Sequence, residues 1–169
     1  IGTNNEYKSG IYSSFVGACS GIRQHTVSMW YKPDTINDWS HLFTAYGFEG
    51  VTRVSALVIY GTNTGGIEVL TNGHPNPRVS STGLLILDRW THITKTVDIL
   101  SNTARVYIDG VLVDQQSVNT YTKDLTEFRI GNSETKGIQG SIDDVRLYNR
   151  ILSAAEVAAL CPRDMRGLI

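Results

Sequence analysis

Short runs rich in Val, Ile, Thr, Tyr and Phe recur along almost the whole chain, cut apart by clusters of Gly, Asn, Asp and Pro. β-Branched and aromatic side chains suit a pleated surface, and the residues between them suit tight reversals, so the pattern reads as many short antiparallel strands. Strands are expected near residues 11–16, 26–32, 41–46, 54–60, 67–71, 90–97, 104–108, 111–115, 127–130 and 141–148. The breaks Asn63-Thr64-Gly65-Gly66, Asn72-Gly73-His74-Pro75-Asn76-Pro77 and Ser101-Asn102 are turn chemistry. With 169 residues, and with no repeat or low-complexity tract, the chain reads as a single domain over 1–169 with a core large enough to fold without several disulfides or a metal.

Asp109-Gly110 suits a two-residue type I′ turn, because both central positions need positive φ. The register this predicts sets Ile108 opposite Val111 and Val106 opposite Val113 on an aliphatic, core-facing side. Tyr107 then faces Leu112 and Arg105 faces Asp114 on a side that is only partly covered, where Arg105 and Asp114 would form an exposed ion pair. Residues 140–160 break the all-strand pattern. Ile142, Val145 and Leu147 mark a strand, and Ser153 with Glu156 three places on forms a capping box that opens a short helix.

A formal charge of −1, with both signs scattered, carries no electrostatic footprint for nucleic acid or an anionic membrane. The apolar run 84–87 is far too short to span a bilayer. Ile1 opens on a polar segment without a signal peptide, so a mature or excised piece of a longer protein is expected. Cys19 and Cys161 sit near opposite ends. Two-sheet folds commonly set their terminal strands side by side, which would bring these sulfurs within bonding distance. Such a bond would contribute roughly 4 to 5 kcal/mol on the chain-entropy model and would imply an oxidising compartment. Two buried thiols are the alternative.

Four segments line up, in order, with a known family. Thr26-Val-Ser-Met-Trp-Tyr-Lys-Pro33 resembles its Trp-x-Lys-Pro strand, and Trp90-Thr-His-Ile its Trp-x-His-Val strand. Val106-Tyr-Ile-Asp-Gly-Val-Leu-Val113 resembles its Asp-Gly hairpin, and Phe128-Arg-Ile-Gly131 with residues 140–153 resembles its closing strand. Over roughly residues 10 to 160 the chain thus resembles the laminin-G-like domains of the concanavalin A-like lectin and glucanase superfamily. The resemblance implies an all-β fold: a jelly-roll sandwich of two antiparallel sheets with one short C-terminal helix. It also implies a carbohydrate-binding or adhesion module of a larger secreted or surface protein, at an extracellular or cell-surface location. A glycan or glycoprotein is then the expected partner, with a protein-protein or structural role as the alternative.

Many members of that superfamily hold calcium, and Asp143 matches a position that often supplies a carboxylate. The N-terminal counterpart, Phe15-Val-Gly-Ala-Cys-Ser20, lacks the usual acids, which weakens the expectation of one structural calcium ion. Asp143 would otherwise pair with Arg146 or cap backbone amides. Sugar recognition uses exposed aromatic faces flanked by amides and carboxylates, and Trp39, Tyr46, Phe48, Tyr60, His74, Tyr107 and Tyr121 are the available pieces. Trp39, in the polar loop Asn37-Asp38-Trp39-Ser40, is the first choice, whereas Trp30 and Trp90 match structural positions of the fold.

Catalysis is not expected. A retaining glycosidase needs two carboxylates about 5 Å apart, and no strand carries acids at alternating positions. Glu68, Glu127 and Glu134 are isolated, while Asp143 and Asp144 are adjacent and would point to opposite faces. His25, His41, His74 and His92 lack zinc spacing, no nucleophile motif is present, and Gly65-Gly66 precedes a strand rather than a phosphate-binding helix.

Overall fold

The computed structural model describes residues 11–14, 23–36, 40–47, 53–60, 66–71, 83–117, 125–131 and 138–161. The elements are β1 (Ile11–Ser14), β2 (Gln24–Pro33), β3 (His41–Gly47), β4 (Arg53–Tyr60), β5 (Gly66–Thr71), β6 (Thr91–Asp98), β7 (Thr103–Ile108), β8 (Val111–Ser117), β9 (Leu125–Ile130), β10 (Gly140–Tyr148) and α1 (Ala154–Ala159). All ten expected strands are present, their described ends within two residues of those expected, and residues 15–16 of the first lie outside the described residues. The strands form two antiparallel sheets, ordered β1-β9-β3-β4-β5 and β10-β2-β6-β7-β8. The result is a jelly-roll sandwich with one short helix.

The core lies between the sheets. Val27, Met29 and Tyr31 of β2 and Ile93 and Val97 of β6 pack with Leu42, Phe43 and Ala45 of β3 and Phe128 of β9. Burying a side chain of this kind stabilises by about 1.5–3 kcal/mol, which is why alternate positions of these strands are apolar. The intervening residues of the second sheet are buried as well, although they are polar: Thr26, Ser28, His92, Thr94 and Thr96 are all closed off. At the Thr26 end of this face the cover is the chain after β10, whose Leu152 and Val157 pack against Tyr107. Thr26 pins this strap with two bonds, its hydroxyl donating to the Arg150 carbonyl at 2.8 Å and accepting from the Leu152 amide at 3.1 Å. The capping box forms as expected, with the Glu156 amide donating to Ser153 Oγ at 3.3 Å and the Ser153 amide donating to Glu156 Oε2 at 2.8 Å.

Three expectations need correction. In the hairpin, Ile108 opposes Val111 and Tyr107 opposes Leu112, but a bulge then pairs Val106 with Asp114 and Arg105 with Gln115. Arg105 Nε therefore donates to Gln115 Oε1 at 2.6 Å, and the Arg105–Asp114 pair does not form. Tyr107 is buried rather than partly covered, because the strap lies over it, while Val111 is exposed. A second bulge falls between Asp143 and Arg146 and sets Asp144 at φ 47°, so simple alternation does not describe the two aspartates. Finally, β1 and β10 lie at the edges of different sheets rather than side by side. Cys161 is buried; Cys19 lies outside the described residues.

Candidate functional site

Antiparallel register sorts the outward face of the second sheet into rows. Asp143 of β10 lies opposite Trp30 of β2, and Trp30 lies opposite His92 of β6. The Trp30 and His92 rings meet at a centroid distance of 5.1 Å and a tilt of 59°. Ser141 lies opposite Lys32 one row further out, and the Lys32 ammonium sits 6.0 Å from the centroid of the Trp90 ring. Alternation explains the grouping: Trp30 and Lys32 share one side of β2, opposite to the core residues Met29 and Tyr31.

The strap's contacts are with Thr26 and Tyr107, away from the row of Asp143, Trp30 and His92. Ser141, Asp143, Asp144, Arg146 and Arg89 are exposed there, Lys32 and Trp90 are half-buried, and Trp30 and His92 form the floor. Two ion pairs fringe it. Arg146 holds Asp144 through two bonds of 2.8 Å each, and Arg89 meets Asp109 at 3.2 Å. Asp109 also accepts from the His92 amide at 3.0 Å and donates its own amide to the His92 carbonyl at 2.8 Å, which locks the hairpin tip to β6. The Ser28 hydroxyl lies 2.9 Å from His92 Nε2, while His92 Nδ1 is buried without a hydrogen-bond partner. Burial lowers the His92 pKa, against opposing pulls from Asp109 and Asp144. The arrangement is an aromatic step with carboxylates, a hydroxyl and an ammonium at its border, which is chemistry for holding a polyhydroxylated molecule.

Of the residues expected to bind, Trp39, Phe48, His74 and Tyr121 lie outside the described residues, and Tyr60 is described in its backbone alone. Tyr46 belongs to the opposite sheet. It is 3% exposed, with the Arg129 guanidinium 4.3 Å from its ring centroid, so the ring offers no open stacking face. Tyr107, buried under the strap, is likewise closed. Asp143 is exposed, and its Oδ1 accepts from the Asp144 amide at 2.7 Å; Arg146 pairs with Asp144 instead. Sequence reasoning assigned Trp90 to the framework and passed over Lys32. The alternation of Trp30-Tyr31-Lys32 and Trp90-Thr91-His92 was the signal that could have grouped them.

Calcium takes six to eight oxygen ligands. Asp144 is committed to Arg146, no group of three or more His, Cys, Asp or Glu residues suited to a metal occurs among the described residues, and the N-terminal counterpart at 15–20 lies outside them.

Solved structures with the same architecture are a heptameric pentraxin from Limulus polyphemus, domain 4 of the extracellular arabinanase AbnA from Geobacillus stearothermophilus in complex with arabinotriose, and the sialidase of Trypanosoma rangeli. The pentraxin gives a TM-score of 0.73 at 15% identity, covering 94% of this chain and 78% of its own. The arabinanase domain gives 0.65 at 18%, covering 94% and 84%. The sialidase gives 0.64 at 21%, covering 88% of this chain but only 24% of its own. No curated protein matches the sequence. The laminin-G type family profile, described as the concanavalin A-like lectin/glucanases superfamily, matches residues 10–158, and the chain belongs to that family.

Proposed function

We propose that this chain is a carbohydrate-binding or adhesion module of a larger secreted or surface protein, and that it holds a glycan or glycan-bearing partner without altering it. The observation that carries this reading is the open end of the second sheet, where half-buried Trp90 and Lys32 adjoin exposed Ser141 and Asp143. Sugars stack their C–H faces on aromatic rings and hydrogen-bond at the rim, and this surface offers both contacts. The arabinanase domain in complex with arabinotriose supports the same use of the fold.

Binding without hydrolysis is supported by the sequence, in which no strand carries the acids at alternating positions that a pair of catalytic carboxylates would need.

A second reading, contact with another polypeptide, is favoured by exposed Ile86, Leu87, Val111 and Leu112. A glycan array followed by calorimetry separates the two. Trp90→Ala is expected to weaken glycan binding at least about tenfold. Asp143→Ala, at an exposed site, should weaken it with the thermal transition unchanged. Absence of binding to every glycan, with calcium or with chelator, would replace the first reading with the second.

A further inference from the structure

We infer that the open end of the second sheet takes neutral sugars and rejects sugars bearing carboxylate or sulfate groups; this inference rests on the carbohydrate-binding reading of the same surface. The argument is one of charge and donor count. Both arginines at the site are already neutralised, Arg146 by Asp144 at 2.8 Å and Arg89 by Asp109 at 3.2 Å. Lys32, with its ammonium over Trp90, remains as the cation on the step itself.

Three further carboxylates belong to this end. Asp143 lies in the row of Trp30. The Asp88 amide donates to the Pro33 carbonyl at 2.9 Å, which ties the turn before Trp90 to the end of β2. The Asp34 amide donates to the Gln139 carbonyl at 3.1 Å, beside the start of β10. Asp34, Asp88 and Asp143 are all exposed, and none enters an ion pair among the described residues. Against one lysine they leave a surplus of negative charge among the described residues.

Ionised carboxylates only accept hydrogen bonds, so they pair with sugar hydroxyls, which donate, and repel an acidic sugar, which presents acceptors. Beneath them His92 Nδ1 is a buried polar atom on the same outward face without a partner, 1% of the residue being exposed.

The test presents the whole chain with matched pairs of glycans, the same oligosaccharide with and without an acidic group: sialylated against desialylated, and polygalacturonate against its methyl ester. The neutral member is expected to bind at least about tenfold tighter at low salt, with the gap closing near 0.5 M salt as screening shortens the reach of the carboxylates. Asp88→Asn with Asp143→Asn should raise binding of the acidic member. An acidic glycan that binds as tightly as its neutral partner, and loses that binding in Trp90→Ala, overturns the charge inference and leaves the carbohydrate-binding reading standing. Failure of both members of every pair overturns that reading and the inference with it.

Discussion

Lys95 sits where a strand pattern would place an apolar residue. It belongs to the inward side of β6 between Ile93 and Val97, is fully buried, and holds its ammonium 5.2 Å from the Phe43 ring centroid. Burial pulls its pKa from 10.5 to about 7. Fully buried His25 is held well below the usual histidine range, first by burial and then by Lys95. Between pH 7 and 10.5 the unfolded chain keeps the Lys95 proton while the folded chain releases it, so stability rises with pH across that window. The slope approaches about 1.4 kcal/mol per pH unit and vanishes below pH 7, where both states are protonated. Lys95→Met should remove this slope and stabilise the fold most at or below pH 7. Urea unfolding at pH 6, 8 and 10 measures it; an unchanged slope in the variant would assign the effect elsewhere. Nothing in the local sequence marked Lys95 as a core residue, since Thr-Lys-Thr reads as a solvated edge until both faces of β6 are seen to be covered.

Hairpin, bulge and cap differ in how far local sequence decided them. Asp109 at φ 49° and Gly110 at φ 78° match the expected turn, because positive φ is a property of those two residues. The register beyond the turn was not local. Gly110 also meets the strap: a Cβ there would lie 3.1 Å from Ala158 Cα. Gly110→Ala is therefore expected to cost about 1–3 kcal/mol in chemical denaturation, from positive φ and crowding together. The cap was fully legible, since Ser153 and Glu156 satisfy each other within four residues. Ser153→Ala should cost about 1 kcal/mol. Arg150 holds the Glu156 carboxyl down, to about 2 from 4.5, so its contribution is present above pH 4.5 and is lost as pH falls toward 2. Glu156→Gln should remove that acid-dependent part of the melting curve, and a variant that kept it would place the titrating group elsewhere.

The strap makes the second sheet a three-layer arrangement locally, which is why Thr26 is buried despite its polarity. Leu152 is 3% exposed within that layer, and Leu152→Ala is expected to cost about 2–5 kcal/mol by thermal or urea unfolding. Cys161 is buried at the end of the strap, close to Gly110. We propose that it bonds Cys19. Thiol titration of the denatured chain should then find no free thiol before reduction, and reduction should lower the melting temperature; two free thiols without reductant would rule the bond out.

Strands, the Asp109-Gly110 turn and the capped helix could be read from residue order alone, because side-chain alternation, positive φ and capping act within a few positions of one another. The Trp90–Lys32 step, the burial of Tyr46 and Tyr107, and the placing of β1 and β10 in different sheets could not. Each depends on which strand lies beside or above another, a choice settled by packing two sheets and a strap over shared apolar surface, between residues far apart in the chain.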